Sequence, residues 1–168
     1  MSTIVVRATA GVEAESVTAP AHAAVRPTAF RQQYHSQAVY RTGAAPADID
    51  ALVYATRTLA AGASDDLNLA DGSLRDVDNF PVALAVLKLF CVQILSGTGL
   101  VVGNAPANPH PLWFGGPGHT LGFDATAAPL LMGSAAGKPV TAAARVVRVA
   151  NPGPDAVTYL LSAAGLKA

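Results

Sequence analysis

Charge is what this sequence has least of. Lys, Arg, Asp and Glu make up 13% of its 168 residues, about half the share of an ordinary soluble chain. A soluble monomer would have to cover its surface mainly with Ala, Gly, Ser, Thr and Pro. Such a surface suits burial against other subunits, so an obligate oligomer or a component of a larger assembly is expected. The formal net charge is zero, and no cluster of Lys or Arg marks a nucleic-acid face. There is a single cysteine, Cys91. It cannot form an internal disulfide, so the fold does not depend on an oxidising compartment. Inside an apolar run it reads as a small buried hydrophobe. Met1-Ser2-Thr3 opens no basic segment followed by an apolar core, so no secretory signal is expected. Gly-x-Ser-x-Gly is absent, and Ser96-Gly97 lacks the context of a nucleophile elbow. The sequence names no catalytic residue and no cofactor.

What is present is organised around residues 80–103, FPVALAVLKLFCVQILSGTGLVVG, whose only charge is Lys88. As a helix, residues 82–95 would be apolar all round. As a strand, one face carries Val82, Leu84, Val86, Phe90, Val92 and Ile94, and the other Ala83, Ala85, Leu87, Leu89, Cys91 and Leu95. That suits a strand buried on both faces. A membrane span needs about 20 apolar residues, and Lys88, Gln93 and the bounding Pro81 and Ser96-Gly97 disfavour one.

The rest of the chain has two characters. Residues 1–50 are rich in Ala and Thr, are broken by Pro20, Pro27 and Pro46, and lack a sustained period of 2 or 3.6 beyond a short strand at 4–7. They read as an extended N-terminal arm that orders against a neighbouring subunit, burying Phe30, Tyr34 and Tyr40. Residues 51–168 read as the folded domain. Strands are predicted at 51–59, 66–69, 82–95, 100–102, 112–114, 119–124, 130–132, 140–150 (one bulged strand or two short ones) and 156–162. A polar connection at 73–79 contains at most one helical turn capped by Ser73. Gly- and Pro-rich turns separate the strands. About eight short strands of this kind predict an all-β fold, an antiparallel β-sandwich or jelly roll with the N-terminal arm.

Several motifs fail on inspection. Gly133-Ser134-Ala135-Ala136-Gly137-Lys138 has three residues between its glycines where a phosphate loop has four, and Pro139 removes a needed N–H; it reads as a turn. Asp65, Asp66, Asp71, Asp76 and Asp78 do not fit the calcium-loop spacing: counted from Asp66, the fifth position is Ala70 and the twelfth Val77. They read as solvated turn acids. His110 and His119 flank Trp113, with Asp124 the only nearby acid, and read as loop histidines and not a metal pair. Trp113 and Phe114 could stack on a sugar, but anchoring of a loop or of a subunit contact fits them better.

Residues 52–165 resemble small β-sandwich, jelly-roll-like virion structural proteins of tailed bacteriophages. The resemblance is carried by Thr58-Leu59-Ala60-Ala61-Gly62-Ala63-Ser64 before Leu67-Asn68-Leu69, by the run from Leu84 to Ile94 followed by Leu100-Val101-Val102-Gly103, by Lys138-Pro139-Val140-Thr141-Ala142, and by Val147-Arg148-Val149-Ala150-Asn151-Pro152-Gly153 leading to Ala156-Val157-Thr158-Tyr159. It covers about two-thirds of the chain and departs after Pro129. It implies a non-enzymatic capsid decoration (cement) or minor capsid protein at the virion surface, made in the host cytoplasm. A tail, neck or fibre component is the nearer alternative, and a carbohydrate-binding module the more distant one. The implied partners are other copies of the chain, as dimer or trimer, and a major capsid protein or other virion proteins, with no nucleic acid, membrane or metal. Phe30, Tyr34, Tyr40, Trp113 and Phe114 are the expected assembly contacts.

Overall fold

A computed structural model describes residues 5–18, 28–41, 48–76, 78–125 and 129–168, and all regular structure among them is β. No helix long and apolar enough to cross a membrane occurs among these residues. The chain divides into two compact units, Val6–Val39 and one holding Tyr40–Ala168.

The first unit holds more strand than the short one expected at 4–7. β1 (Val5–Thr18) and β2 (Thr28–Arg41) are long strands paired in a two-stranded sheet. Neither carries a clean apolar alternation, which is why pattern reading extends only a short strand at 4–7. Pro20 and Pro27 lie outside the described residues.

The second unit holds β3 (Ala51–Leu59), β4 (Ser64–Asn68), β5 (Leu74–Arg75), β6 (Pro81–Val82), β7 (Leu84–Ser96), β8 (Gly99–Gly103), β9 (Thr120–Asp124), β10 (Leu130–Pro139), β11 (Val146–Ala150) and β12 (Val157–Lys167). Two four-stranded antiparallel sheets run β10-β7-β12-β3 and β4-β11-β8-β9, and β5-β6 is a small hairpin. Their inward residues join one cluster. Val53, Phe90, Val92, Tyr159 and Leu161 come from the first sheet, and Leu67, Leu100, Val102, Val147 and Val149 from the second. β3 shows how the sequence produces this. Ala51, Val53 and Leu59 are buried while Tyr54, Thr56 and Thr58 are exposed, the period of two that a pleated strand imposes. β12 does the same with Val157, Tyr159, Leu161 and Ala163, each fully buried.

β7 is the predicted long strand, but the strict alternation read over 82–95 does not hold along it. Leu87, read on the opposite face from Leu84, Phe90 and Val92, is buried with them, while Val86 is only half-buried. The register explains the change. Against β12 the pairing jumps from Leu89 opposite Ala164 to Leu87 opposite Gly165, and again from Val86 to Leu84. Each jump is a bulge, and each bulge turns the following side chains over. Two glycines pin the first bulge. A Cβ on Gly165 would lie 1.9 Å from the Val86 carbonyl oxygen, and one on Gly137 (φ 72°) 2.5 Å from Val86 Cγ1. Lys88, at the bulge, is buried and donates from Nζ to the Asp48 carbonyl at 2.5 Å.

Other departures have similar local causes. The described residues of 73–79 form no helical turn: Leu74 is buried in the core opposite Val82, and the Asp76 carboxylate accepts the amides of Asp78 (3.0 Å) and Phe80 (2.8 Å). Residues 112–114 form no strand but a turn, closed by Phe114 N–H to Pro111 O at 3.1 Å. β10 runs through residues 134–137, expected as a turn, as a four-residue excursion opposite Lys88. β11 begins only at Val146, because Thr141 and Ala144 close a tight turn before it. β12 passes through Gly165, expected to end it, to Lys167.

Candidate functional site

The two sheets turn different outward faces to their surroundings. Cross-strand register sets Tyr54, Ser162, Cys91 and Leu131 in one row across β3, β12, β7 and β10, with Thr56, Leu160 and Gln93 in the next and Leu95 beyond. Tyr54 is 55% exposed and Leu95 51%. In the row on the other side of Tyr54, Leu89 and Ala164 are buried yet belong to no part of the main core cluster. The outer face of this sheet therefore mixes apolar groups (Leu160, Cys91, Leu95, Leu131 and the Tyr54 ring) with uncharged polar ones (Thr56, Gln93 and Ser162), and none of these residues carries the charge that an antiparallel sheet facing water usually presents. The outer face of the second sheet does carry charge. Arg148 grips Asp66 in a two-pronged ion pair, Nε to Oδ1 at 2.7 Å and one terminal nitrogen to Oδ2 at 2.8 Å. Thr120, Gly122 and Asp124 continue that face, all exposed.

A polar cluster at the rim ties one sheet to the other. Tyr159 of β12 is fully buried, and its hydroxyl donates to Asp65 Oδ2 of β4 at 3.0 Å. Arg57 of β3 donates to the same oxygen at 2.6 Å. Burial, then the Asp65 charge, push the Tyr159 phenol well above its ordinary range. The phenol is thus held as a donor, a structural role. Asn151 is a second tie: its buried amide donates to Ala60 O (2.9 Å) and Asp155 O (2.7 Å) and accepts Gly153 N–H (3.0 Å).

Four of the five acids considered for calcium are spent locally. Asp65 and Asp66 take arginines, Asp71 caps the Ser73 amide (2.9 Å), and Asp76 accepts two amides. Among the described residues no three His, Cys, Asp or Glu side chains are grouped to hold a metal ion. His110 and His119 have separate tasks. His119 is exposed and its Nδ1 bonds the Phe114 carbonyl at 2.6 Å. His110 is buried, its backbone amide bonds Val146 O at 2.7 Å, and its Nδ1 accepts the Leu112 amide at 3.1 Å. That bond holds Leu112, fully buried, at φ 47°, a conformation that costs a non-glycine residue about 1 kcal/mol or more. An Nδ1 that accepts is unprotonated. Burial lowers the His110 pKa, the Lys138 charge acts in the same direction, and the Pro139 carbonyl opposes both.

Of the expected assembly contacts, Trp113 and Phe114 are half-buried and pack against the core cluster from the loop that His110 holds. The side chains of Phe30, Tyr34 and Tyr40 lie outside the described residues. Cys91 sits half-buried on the outer face of β7, and burial raises its thiol pKa. Sequence reading missed Tyr54, Phe80 (64% exposed) and Leu95 as surface groups. For Tyr54 a signal existed: it shares the outward phase of β3 with Thr56 and Thr58. Comparison with family models, with curated proteins and with solved structures gave no match.

Proposed function

We propose that the chain is a non-enzymatic virion structural protein, a capsid decoration or minor capsid component, whose two four-stranded sheets form a jelly-roll-like β-sandwich seated in a shell. The outward face of the β10-β7-β12-β3 sheet carries this reading. A sheet face that exposes Tyr54 and Leu95 among uncharged residues, on a chain with only 13% charged residues, suits burial against another surface. The partners are further copies of the chain and a major shell protein. The job is mechanical: a protein that binds the assembled shell and not its separated parts stabilises the shell by mass action. The resemblance of residues 52–165 to phage sandwich proteins points the same way, and the segments that carry it form β3 and its turn, β7 with β8, and β11 leading into β12.

The test is the size of the purified protein, by light scattering and electron microscopy. Particles or discrete oligomers well above the 17.0 kDa chain mass are expected. Deletion of residues 2–45 is expected to leave a folded body that no longer joins them. A monomer at all concentrations that binds no shell would overturn the proposal. A truncated chain that assembled normally would remove the arm from it.

A further inference from the structure

We propose that β9 is a self-complementary edge through which two copies of the chain pair across a twofold axis at Gly122. This deepens the assembly reading by naming one of its contacts.

The two sheets have four edges, and three are blocked. β3 is bridged at Val53 by Asp76. β4 carries Asp65 and Asp66, both tied to arginines. β10 is bounded by Pro129 and Pro139 and interrupted at 134–137. Excursions, prolines and charges of this kind keep edges from pairing. β9 lacks all of these along residues 120–123, and among the described residues no strand is paired beyond it.

Its backbone polarity is fixed by one bond. Ala125 N–H donates to Thr98 O at 3.0 Å, and Gly99 stands opposite Asp124. In an antiparallel ladder this directs the N–H and C=O of residues 121, 123 and 125 toward β8, and those of Thr120 and Gly122 outward. A twofold axis at Gly122 would make Gly122 bond to its own symmetry mate in both directions. The same register sets Leu121, 40% exposed, opposite Phe123, which packs on the core cluster, and Thr120 opposite Asp124. Apolar meets apolar, and hydroxyl meets carboxylate.

The glycine supports this independently. Glycine inside a strand costs about 0.5–1 kcal/mol relative to alanine. Gly165 and Gly137 are required by close approaches within the chain. Gly122 is not: a Cβ there would make ordinary contact, 3.7 Å from Val101 Cγ2. A strand glycine that is neither at a bulge nor required by a close contact within the chain fits a place where another backbone approaches.

The test compares full-length wild type with Gly122→Pro by sedimentation equilibrium, with a thermal melt on each. The Gly122 N–H makes no ladder bond to β8, so proline there is expected to keep the fold and shift the species from dimer, or a multiple of it, to monomer. Should Gly122→Pro fail to fold, Gly122→Cys in a Cys91→Ser background serves. Paired glycines lie about 5.5 Å apart in such a ladder, within disulfide reach, so a covalent dimer is expected on mild oxidation. A folded Gly122→Pro chain that associates like wild type, or a Gly122→Cys chain that does not cross-link in the oligomer, would overturn the β9 pairing and leave the assembly reading standing. A wild type that is monomeric throughout and binds no shell would overturn both.

Discussion

The two sheets share one core but meet their surroundings differently. The β10-β7-β12-β3 sheet is apolar inward and largely uncharged outward, shifts register three times between β7 and β12, and is pinned by glycines. The β4-β11-β8-β9 sheet is apolar only inward, and its outer face carries an arginine–carboxylate pair. A single sequence has thus built one sheet suited to burial on two sides and one suited to water. The difference teaches where a partner is expected: on the face of the first sheet and the edge of the second.

The comparison breaks most sharply at its glycines. Gly165→Val forces a side chain into the Val86 carbonyl and is expected to cost about 3 kcal/mol or more, whereas Gly122→Ala in the second sheet is expected to stay within about 0.5 kcal/mol. Urea unfolding of both variants checks this, and similar losses would erase the contrast. The tie between the sheets is next. Tyr159→Phe removes the hydroxyl that Asp65 accepts, for about 1–1.5 kcal/mol. The folded phenol resists ionisation while the unfolded one ionises near pH 10, so wild-type stability is full below about pH 10 and falls as pH rises beyond it. Tyr159→Phe is expected to flatten that slope in melts between pH 8 and 11.

His110 gives the opposite flank. Its folded pKa lies below the ordinary 6.5, so below about pH 6.5 the unfolded chain takes a proton that the folded chain refuses, and stability falls with falling pH. Melts at pH 7.5 and 5 are expected to separate wild type from His110→Gln by a slope of at most about 1.4 kcal/mol per pH unit. The smallest effect on stability belongs to the outer faces. Tyr54→Lys with Leu95→Lys is expected to change stability by about 0.5 kcal/mol or less yet abolish large species in light scattering. Arg148→Ala is expected to cost under about 1 kcal/mol and leave particle size unchanged. If the lysine pair assembled like wild type, the outer face of the first sheet would not be the docking face.

Much of the second unit was legible from residue order. β3 matches its prediction residue for residue, because Leu52 through Leu59 alternate and the turn at Gly62 follows. Turn chemistry at Asn151-Pro152-Gly153 was equally plain, although the clamp made by the Asn151 side chain was not. β7 could be read as a strand but not as a bulged one, since its phase is set by Gly137 and Gly165, far along the chain. Leu74 looked like part of a polar connection, and its burial depends on Val82 across a two-residue hairpin. β1 and β2 escaped because their pairing is not written in an apolar period.

By itself the sequence determined the all-β class, the separation of residues 1–50 in character from the rest, and the scarcity of charge on which the assembly proposal rests. These follow from composition, from local period and from Gly and Pro, each of which acts within a few residues. Tertiary structure decided which face of each strand looks inward, which edges remain open and which acids are spent in ion pairs. Those outcomes depend on register between strands distant in sequence, where one extra residue on one strand turns every side chain after it to the other face.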